Sequence, residues 1–286
     1  MTATPRVLPR SFLYVPANRP DLYEKGVAGS ADALVIDLED AVPVPEKDAA
    51  RRELTAWLDA RPAAQAGPEI WVRVSPEFLA DDLDAAVRPG VRGLFLAKCS
   101  AEQLDAAAPL LASWEDEREI SPRLDVVGLV ETAAALRDLA VITTHPRLTT
   151  LGIGEVDLLG DLRMTRSLRT AAAIDSFRTQ IVVHCAAAER SAPVAPTSTD
   201  FRDLVAFEES TRHLLDLGFR SRTAIHPSQL AVIHTVSSPS EESLAEAQQV
   251  LDQFERSQGG ITLDARGRLI DAAVVREARE TMGRRR

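Results

Sequence analysis

Short runs of apolar residues alternate along this chain with longer stretches in which apolar positions recur every three to four residues. The runs are SFLYVPA (11–17), ALVIDLE (33–39), EIWVRV (69–74), GLFLAK (93–98), DVVGLVE (125–131), LTTLGIG (148–154), APVAPTS (192–198) and RTAIHP (222–227). Most are continuously apolar, which predicts strands buried on both faces of a parallel sheet covered by helices. Between them, 45–60 carries Pro45 near its start and a helical repeat. The stretch 100–117 opens on Ser100 as a cap followed by Glu102, and 200–219 starts at an aspartate cap and ends at Gly218. Eight strands alternating with helices over about 230 residues is the arithmetic of a (β/α)8 TIM barrel. A doubly wound open sheet is the alternative. Against it, the first strand runs into PANRP and not into a glycine-rich phosphate loop.

After His226-Pro227 the pattern changes. Residues 238–260 read as a capped amphipathic helix, 261–270 as a hairpin turning at Arg266-Gly267, and 271–282 as a terminal helix. The expected organisation is a catalytic (β/α)8 barrel over 1–236 and a C-terminal extension over 237–286 that acts as a lid or oligomerisation arm.

Composition narrows the function. With 286 residues, 45% hydrophobic and 27% charged, the chain can bury a large core. A net charge of −10 and a pI near 5.1 argue against nucleic acid and membrane surfaces as partners, while leaving room for a local basic pocket. No segment approaches the roughly 20 apolar residues that span a bilayer. Prolines and Arg10 interrupt any signal-peptide core in the first residues, so the expected location is the cytoplasm. Cys99 and Cys185 form no metal or redox spacing and read as reduced thiols, and the five histidines form no zinc spacing.

In a barrel of this kind, chemistry gathers at the C-terminal ends of the strands. Those ends deliver Asn18 and Arg19, Glu39 and Asp40, Arg73, Lys98, Glu131, Glu155 and Asp157, Thr197 and Ser198, and His226. Each charge alone is more often a solvated loop group; apolar runs that repeatedly end in a charge put these around one rim. Carboxylates from several strands, without Cys or His ligands, suit a hard cation such as Mg2+, which takes one or two protein carboxylates plus waters and substrate oxygens. Arg73 and Lys98 would hold a substrate carboxylate or carbonyl oxygen. His226, before a proline, reads as a structural hydrogen-bonding group, and Lys47 as a residue of an early exposed helix turn. Cys99 has no histidine near it in sequence and is not expected to be a nucleophile. The stretch VIDLED (35–40) is the puzzle: three carboxylates crowd a buried strand's end.

The blocks RSFLYVPANRP, ADALVIDLEDAVPVPEKDAAR, WVRV, GLFLAK, GLVETA, GEVDLLGDL, LGFRSRTAIHPSQL and RLIDAAVVREAR, in this order, resemble the citrate lyase β-subunit-like branch of the HpcH/HpaI aldolase family. The likeness spans nearly the whole chain. It implies a barrel of the phosphoenolpyruvate/pyruvate superfamily type, assembled as a homotrimer or hexamer. It implies Mg2+-dependent making or breaking of a carbon–carbon bond in an acyl-CoA or keto-acid substrate, of the citryl-, malyl- or citramalyl-CoA type. By the same resemblance, Glu131 of GLVETA and Asp157 of GEVDL match metal ligands. Arg73 of WVRV matches the arginine that grips the keto-acid end and the thioester oxygen. Tyr14, Arg19 and Lys25 fall where relatives touch the CoA-bearing substrate. Asp271 of RLIDA matches a catalytic aspartate on an arm that in relatives closes over a neighbouring subunit's site; read from the residues alone, it is the N-cap of the last helix.

The chain departs from the family pattern at four places. Val156 stands where relatives have an acid, Ser75 where they carry asparagine, Ala97 where they carry proline, and Ser221-Arg222 where they carry Gly-Lys. The expected activity is cleavage of a 3-hydroxyacyl-CoA to acetyl- or propionyl-CoA and a 2-keto acid. A malyl-CoA thioesterase or malate synthase-like enzyme, a citrate lyase complex subunit, and a non-catalytic binding barrel are the alternatives. In VIDLED, Glu39 and Asp40 are expected to hold metal waters or orient Arg73, and Asp37 to need a fixed partner that the sequence does not name.

Overall fold

A computed structural model describes residues 6–61, 67–257, 261–263 and 266–285. Each apolar run holds a strand: β1 (Ser11–Pro16), β2 (Ala33–Asp37), β3 (Glu69–Val74), β4 (Val91–Leu96), β5 (Asp125–Val130), β6 (Thr150–Ile153), β7 (Val194–Ala195) and β8 (Ser221–Ala224). They pair in parallel in sequence order, and β8 closes on β1 through Ser11↔Arg222, Phe12↔Thr223 and Leu13↔Ala224. The closed ring excludes the open sheet. β7 is cut to two residues by Pro193 and Pro196, which lack the amide a ladder requires.

Successive strand residues face opposite sides. Leu34, Ile36, Val72, Leu94 and Val126 pack outward against helix residues such as Leu54, Leu83, Leu104 and Phe207. Val35, Trp71, Phe95, Val127 and Leu129 point inward with Phe12 and fill the barrel. Both faces are dry, which is why the runs read as continuously apolar. Inside, Phe12 meets Trp71 and Phe95 edge-on, each at 5.2 Å. Gly93 on β4 makes room for this cluster, because a Cβ there would sit 2.4 Å from the Trp71 ring. Arg6 pairs with Glu69 and Asp125 where β3 and β5 begin. At the other end, the period of two puts Asp37 next inward after Val35, Arg73 after Trp71 and Glu131 after Leu129. The inner face thus changes from apolar to charged within one residue pair of the strand ends.

The helices between strands follow the sequence with local corrections. Lys47–Asp59 follows a 3-10 turn at Val44–Glu46. Ser100 caps Ala101–Glu117 in a capping box whose partner is Gln103, not Glu102. Leu204–Leu217 is capped by Asp203; Asp200, the first aspartate of that stretch, instead accepts the amides of Arg202 and Asp203. Gly218 ends this helix at φ +113°, a left-handed position suited to glycine. Ala171–Ala187 is a helix with little sequence signal: its buried residues are few, Ile174, Ile181 and Cys185, so its apolar stripe is faint.

Two compact units part between Ile233 and His234. The second contains helices Glu241–Arg256 and Ala272–Gly283 and the antiparallel pair β9 (Thr262–Leu263) and β10 (Leu269–Ile270). Residues 258–260 of the expected helix lie outside the described residues. Ser240 caps the first helix. Among the described residues, no helix is long and apolar enough to cross a membrane.

Candidate active site

The register of β2 and β3 answers the question posed by VIDLED. Asp37 and Arg73 are direct cross-strand partners. Arg73 Nε donates to Asp37 Oδ1 at 2.7 Å and Nη2 to Oδ2 at 2.6 Å. The same carboxylate accepts the amides of Glu39 (2.9 Å) and Ala41 (3.3 Å), so both its oxygens are used. Glu39 continues the chain of charges: Oε2 lies 3.1 Å from Arg73 Nη1, and Oε1 accepts from Lys98 Nζ at 2.9 Å. Tyr14 lays its ring 5.0 Å from the Arg73 guanidinium. Burial works against the Arg73 charge, but Asp37, with Tyr14 and Glu39, outweighs it and keeps the guanidinium firmly protonated. Burial, reinforced by the charges of Asp37, Glu131 and Glu39, holds the Tyr14 phenol protonated, with Arg73 opposing. Asp40 is exposed; its amide donates to Glu39 Oε2 at 3.0 Å, and its charge adds to the field that holds Lys98 protonated, behind the Glu39 hydrogen bond.

Glu131 ends β5 almost fully buried at 3% exposure. Its Oε2 accepts the Lys98 amide at 2.8 Å, which Lys98 presents by adopting φ +48°. Gly154 makes the space: a Cβ there would lie 2.2 Å from Glu131 Cγ and 2.3 Å from Oε1. Asp157 stands exposed on the first turn of the helix Glu155–Asp161, which leaves β6. Burial pushes the Glu131 carboxyl up to about 7; the Lys98 amide and Arg73 pull it down, while the charges of Glu39 and Asp157 add to the rise. Among the described residues no cluster of three or more His, Cys, Asp or Glu side chains is arranged for a metal. Glu131, beside Gly154, and Asp157 offer carboxylate oxygens alone, a donor type that suits a hard cation keeping waters and substrate oxygens better than zinc.

Residues 10–227 match the family described as HpcH/HpaI aldolase/citrate lyase. The chain belongs to this family. The family is one of lyases, and the chain is an enzyme of it. It is 31% identical over 281 residues to a citrate lyase subunit beta-like protein of Mycobacterium tuberculosis, covering 96% of this chain and 94% of the relative. It is 29% identical over 284 residues to a (3S)-malyl-CoA thioesterase of Cereibacter sphaeroides, again covering 96% and 94%. Among solved structures, CitE from Mycobacterium tuberculosis in complex with magnesium, acetoacetate and coenzyme A matches with a TM-score of 0.73 at 30% identity, over 96% of this chain and 97% of that one. A citrate lyase of Burkholderia xenovorans, at 20% identity and a TM-score of 0.80 over 98% of this chain and 92% of that one, shares the fold.

The other residues expected in this lyase-family site divide. Arg19 and Lys25 are exposed and meet at Asp21, at 2.9 and 3.8 Å. Asp271 caps the terminal helix through Oδ1, which accepts the amides of Ala273 (2.9 Å) and Val274 (3.1 Å). His226 places Nδ1 2.8 Å from Ser228 Oγ and stacks on Phe201. Cys99 is buried and its thiol is pushed up to about 12 by that burial, with the Glu131 charge adding, so it is no nucleophile.

Two features were not legible in the sequence. Lys47, expected on an exposed turn, is 5% exposed and donates Nζ to the carbonyls of Leu38 (2.6 Å) and Glu39 (2.9 Å). Its ammonium finds carbonyls at the end of β2 that no local periodicity could reveal. Glu155, the acid displaced by one place in GEVD, is buried and engaged by Arg178 at 2.6 and 2.7 Å and by Arg166. Its partners lie on distant turns, so only the folded chain shows that Glu155 anchors the Asp157 helix. Of the family departures, Ser75 gives its amide to buried Asp82 at 2.8 Å. Arg222 lies under the Phe207 ring at 3.9 Å and donates to the carbonyls of Pro196 and Phe207.

Proposed function

We propose that the chain is a Mg2+-dependent carbon–carbon lyase that splits a 3-hydroxyacyl-CoA of the malyl-, citramalyl- or citryl-CoA type into acetyl- or propionyl-CoA and a 2-keto acid. The observation that supports this reading is the meeting, at one barrel mouth, of the acid pair Glu131 and Asp157 with the cations Arg73 and Lys98 bridged by Glu39. Glu131 and Asp157 would hold Mg2+, which when bound supplies charge for the oxygens of the departing keto acid. Arg73, oriented by Asp37, faces the thioester oxygen where negative charge grows as the bond breaks. Lys98 adds a second cation for the keto-acid carboxylate. Glu39 holds both cations, and Asp40 supports the field at the rim. Tyr14 packs the acyl group against Arg73, and Arg19 and Lys25 reach the CoA phosphates.

The balance of the step is simple. The substrate hydroxyl gives up its proton to solvent, its electron pair forms the keto C=O, the adjacent carbon–carbon bond breaks, and the acyl carbon takes a proton from an acid that solvent reprotonates. Asp271 is the group we assign to that last transfer; its cap contacts with Ala273 and Val274 are both made by Oδ1. In this reading the barrel is residues 1–236 and the arm 237–286 serves a neighbouring subunit's site in a homotrimer or hexamer. The enzyme acts alone on free CoA esters in the cytoplasm and is not a citrate lyase complex subunit. CitE in complex with magnesium, acetoacetate and coenzyme A, and a citrate lyase beta subunit complexed with oxaloacetate and magnesium, both of Mycobacterium tuberculosis, are similar to this chain at 30% and 28% identity.

A second reading is favoured by one finding, the likeness to (3S)-malyl-CoA thioesterases at 29% identity. A thioesterase admits water to the acyl carbonyl and gives a free hydroxy acid and CoA. Incubation with Mg2+ and a panel of malyl-, citramalyl- and citryl-CoA, followed by product separation, decides. A 2-keto acid plus a shorter acyl-CoA supports the lyase, and a hydroxy acid plus CoA the thioesterase. Silence across the panel overturns both.

A further inference from the structure

Lys47 has no part in the chemistry above, yet among the described residues it is one of the most buried cations. It opens the helix Lys47–Asp59 and turns its ammonium back onto the Leu38 and Glu39 carbonyls. Among the described residues it has no ion-pair partner. A buried ammonium is costly unless its hydrogen bonds are used, and an apolar side chain would pack this wall as well. The chain end it grips is held from other sides as well. The Leu38 amide is given to Arg73 O at 3.0 Å and the Glu39 carbonyl takes the Val42 amide at 3.1 Å, so this short turn is tied to β3 and to itself. Lys47 is the hold from behind.

The next strand is gripped in the same way by a charge of opposite sign. Asp82, fully buried, accepts the Ser75 amide at 2.8 Å, two residues past Arg73, and holds Arg51 Nη1 at 2.7 Å. Arg51 stands one helical turn after Lys47, and both cations lie over the Phe78 ring, at 5.5 and 5.6 Å. Behind the mouth, buried charges therefore fix the two strand ends that deliver Glu39 and Arg73. In front of it, Glu39 sets the separation of Arg73 from Lys98.

We propose that Lys47 is a positioning residue for keto-acid recognition: by holding the Leu38 and Glu39 carbonyls from behind, it places the Glu39 carboxylate between Arg73 and Lys98 and so sets the spacing of the two substrate-facing cations. This rests on the reading that those cations face the keto acid. Lys47 itself touches no reactant. A merely structural staple would lower stability and leave ligand discrimination alone. A positioning residue acts through Glu39, so its loss must be non-additive with loss of the Glu39 charge.

The test uses the full-length protein with Mg2+, pyruvate as the probe, and calorimetry. K47M is expected to bind Mg2+ within about twofold of wild type and pyruvate about tenfold more weakly, since a small misplacement of a binding group is felt strongly. K47R, which keeps a cationic donor, recovers part of that affinity. E39Q shows a comparable loss, and K47M/E39Q loses no more than E39Q alone. Unchanged pyruvate affinity in K47M, or losses that add in the double variant, overturns the proposal. If K47M does not fold, K47R and K47R/E39Q carry the same comparison. A wild-type protein that binds neither Mg2+ nor pyruvate overturns the functional reading itself, and this inference with it.

Discussion

Asp37 and Arg73 face each other across β2 and β3 as a two-point ion pair, with contacts of 2.7 and 2.6 Å and both side chains largely buried. The pair leaves Arg73 with one orientation, its plane against Tyr14 and its remaining N–H groups toward Glu39 and the mouth. Asp37→Asn keeps the shape and removes the charge, leaving the buried guanidinium with Glu39 as its carboxylate partner. It is expected to destabilise the fold by about 2–3 kcal/mol, as for the loss of a hydrogen-bonded charge beside one that remains. The loss is read by urea unfolding. Catalytic efficiency on the active CoA ester should fall along with it, and a variant as stable and as active as wild type would refute the pairing's role.

Glu131 makes stability and metal binding depend on pH in opposite ways. Its carboxyl moves from 4.5 in the unfolded chain up to about 7 in the metal-free fold, chiefly by burial. Below about pH 7, protonated Glu131 is therefore the favoured native form. Its contribution to stability is fully present below 4.5, is lost as pH rises through 7, and then levels. The shift corresponds to roughly 3 kcal/mol. Glu131→Gln should flatten this decline in denaturant titrations of metal-free protein. Mg2+ needs the ionised form, so its affinity should rise about tenfold per pH unit below neutrality and level above it, with a proton released on binding. Mg2+ affinity that stays flat between pH 5 and 8 would argue against Glu131 as a ligand.

Two glycines separate packing from chemistry. Gly93→Ala drives a methyl group into the Trp71 ring, 2.4 Å away, and should cost about 1–3 kcal/mol of stability through overpacking. Mg2+ binding should survive it. Gly154→Ala places its methyl 2.2 Å from Glu131 Cγ, so the carboxylate must move. Calorimetry should show a clear loss of Mg2+ affinity there at a similar change in thermal midpoint. Equal metal affinity in the two variants would contradict the Gly154 cradle.

If Asp271 serves a neighbouring subunit, two dead enzymes should make a live one. Arg73→Ala and Asp271→Ala are each expected to lose activity by at least about a hundredfold. Mixed, unfolded and refolded together, they should regain part of the wild-type rate, because some sites then combine an intact barrel with an intact arm. Recovery absent from mixed oligomers, with subunit exchange verified by mass, would place Asp271 outside the reaction or in its own subunit's site. Asp271→Asn, which retains a capping oxygen, distinguishes loss of chemistry from loss of the helix cap.

The sequence by itself determined the barrel and the residues of its rim. Strand and helix signals are local: they lie in the spacing of apolar residues over five to fifteen positions, and a strand buried on both faces reads as one apolar run wherever it occurs. The ends of those runs therefore named Glu39, Arg73, Lys98, Glu131 and Asp157 before any fold was in view. The sequence left the pairings open. Asp37 and Arg73 are 36 residues apart, and only the β2–β3 register makes them partners. Lys98 and Glu39 are 59 apart. Lys47 looked exposed because its helix turn is polar, and it is buried because the Leu38 and Glu39 carbonyls lie beneath it. Glu155 looked like a rim acid, and the tertiary structure commits it to Arg178. A charge in a sequence states only that a partner or solvent is required. Which of the two it receives is decided by barrel closure, since desolvation and ion pairing depend on neighbours that local periodicity does not encode.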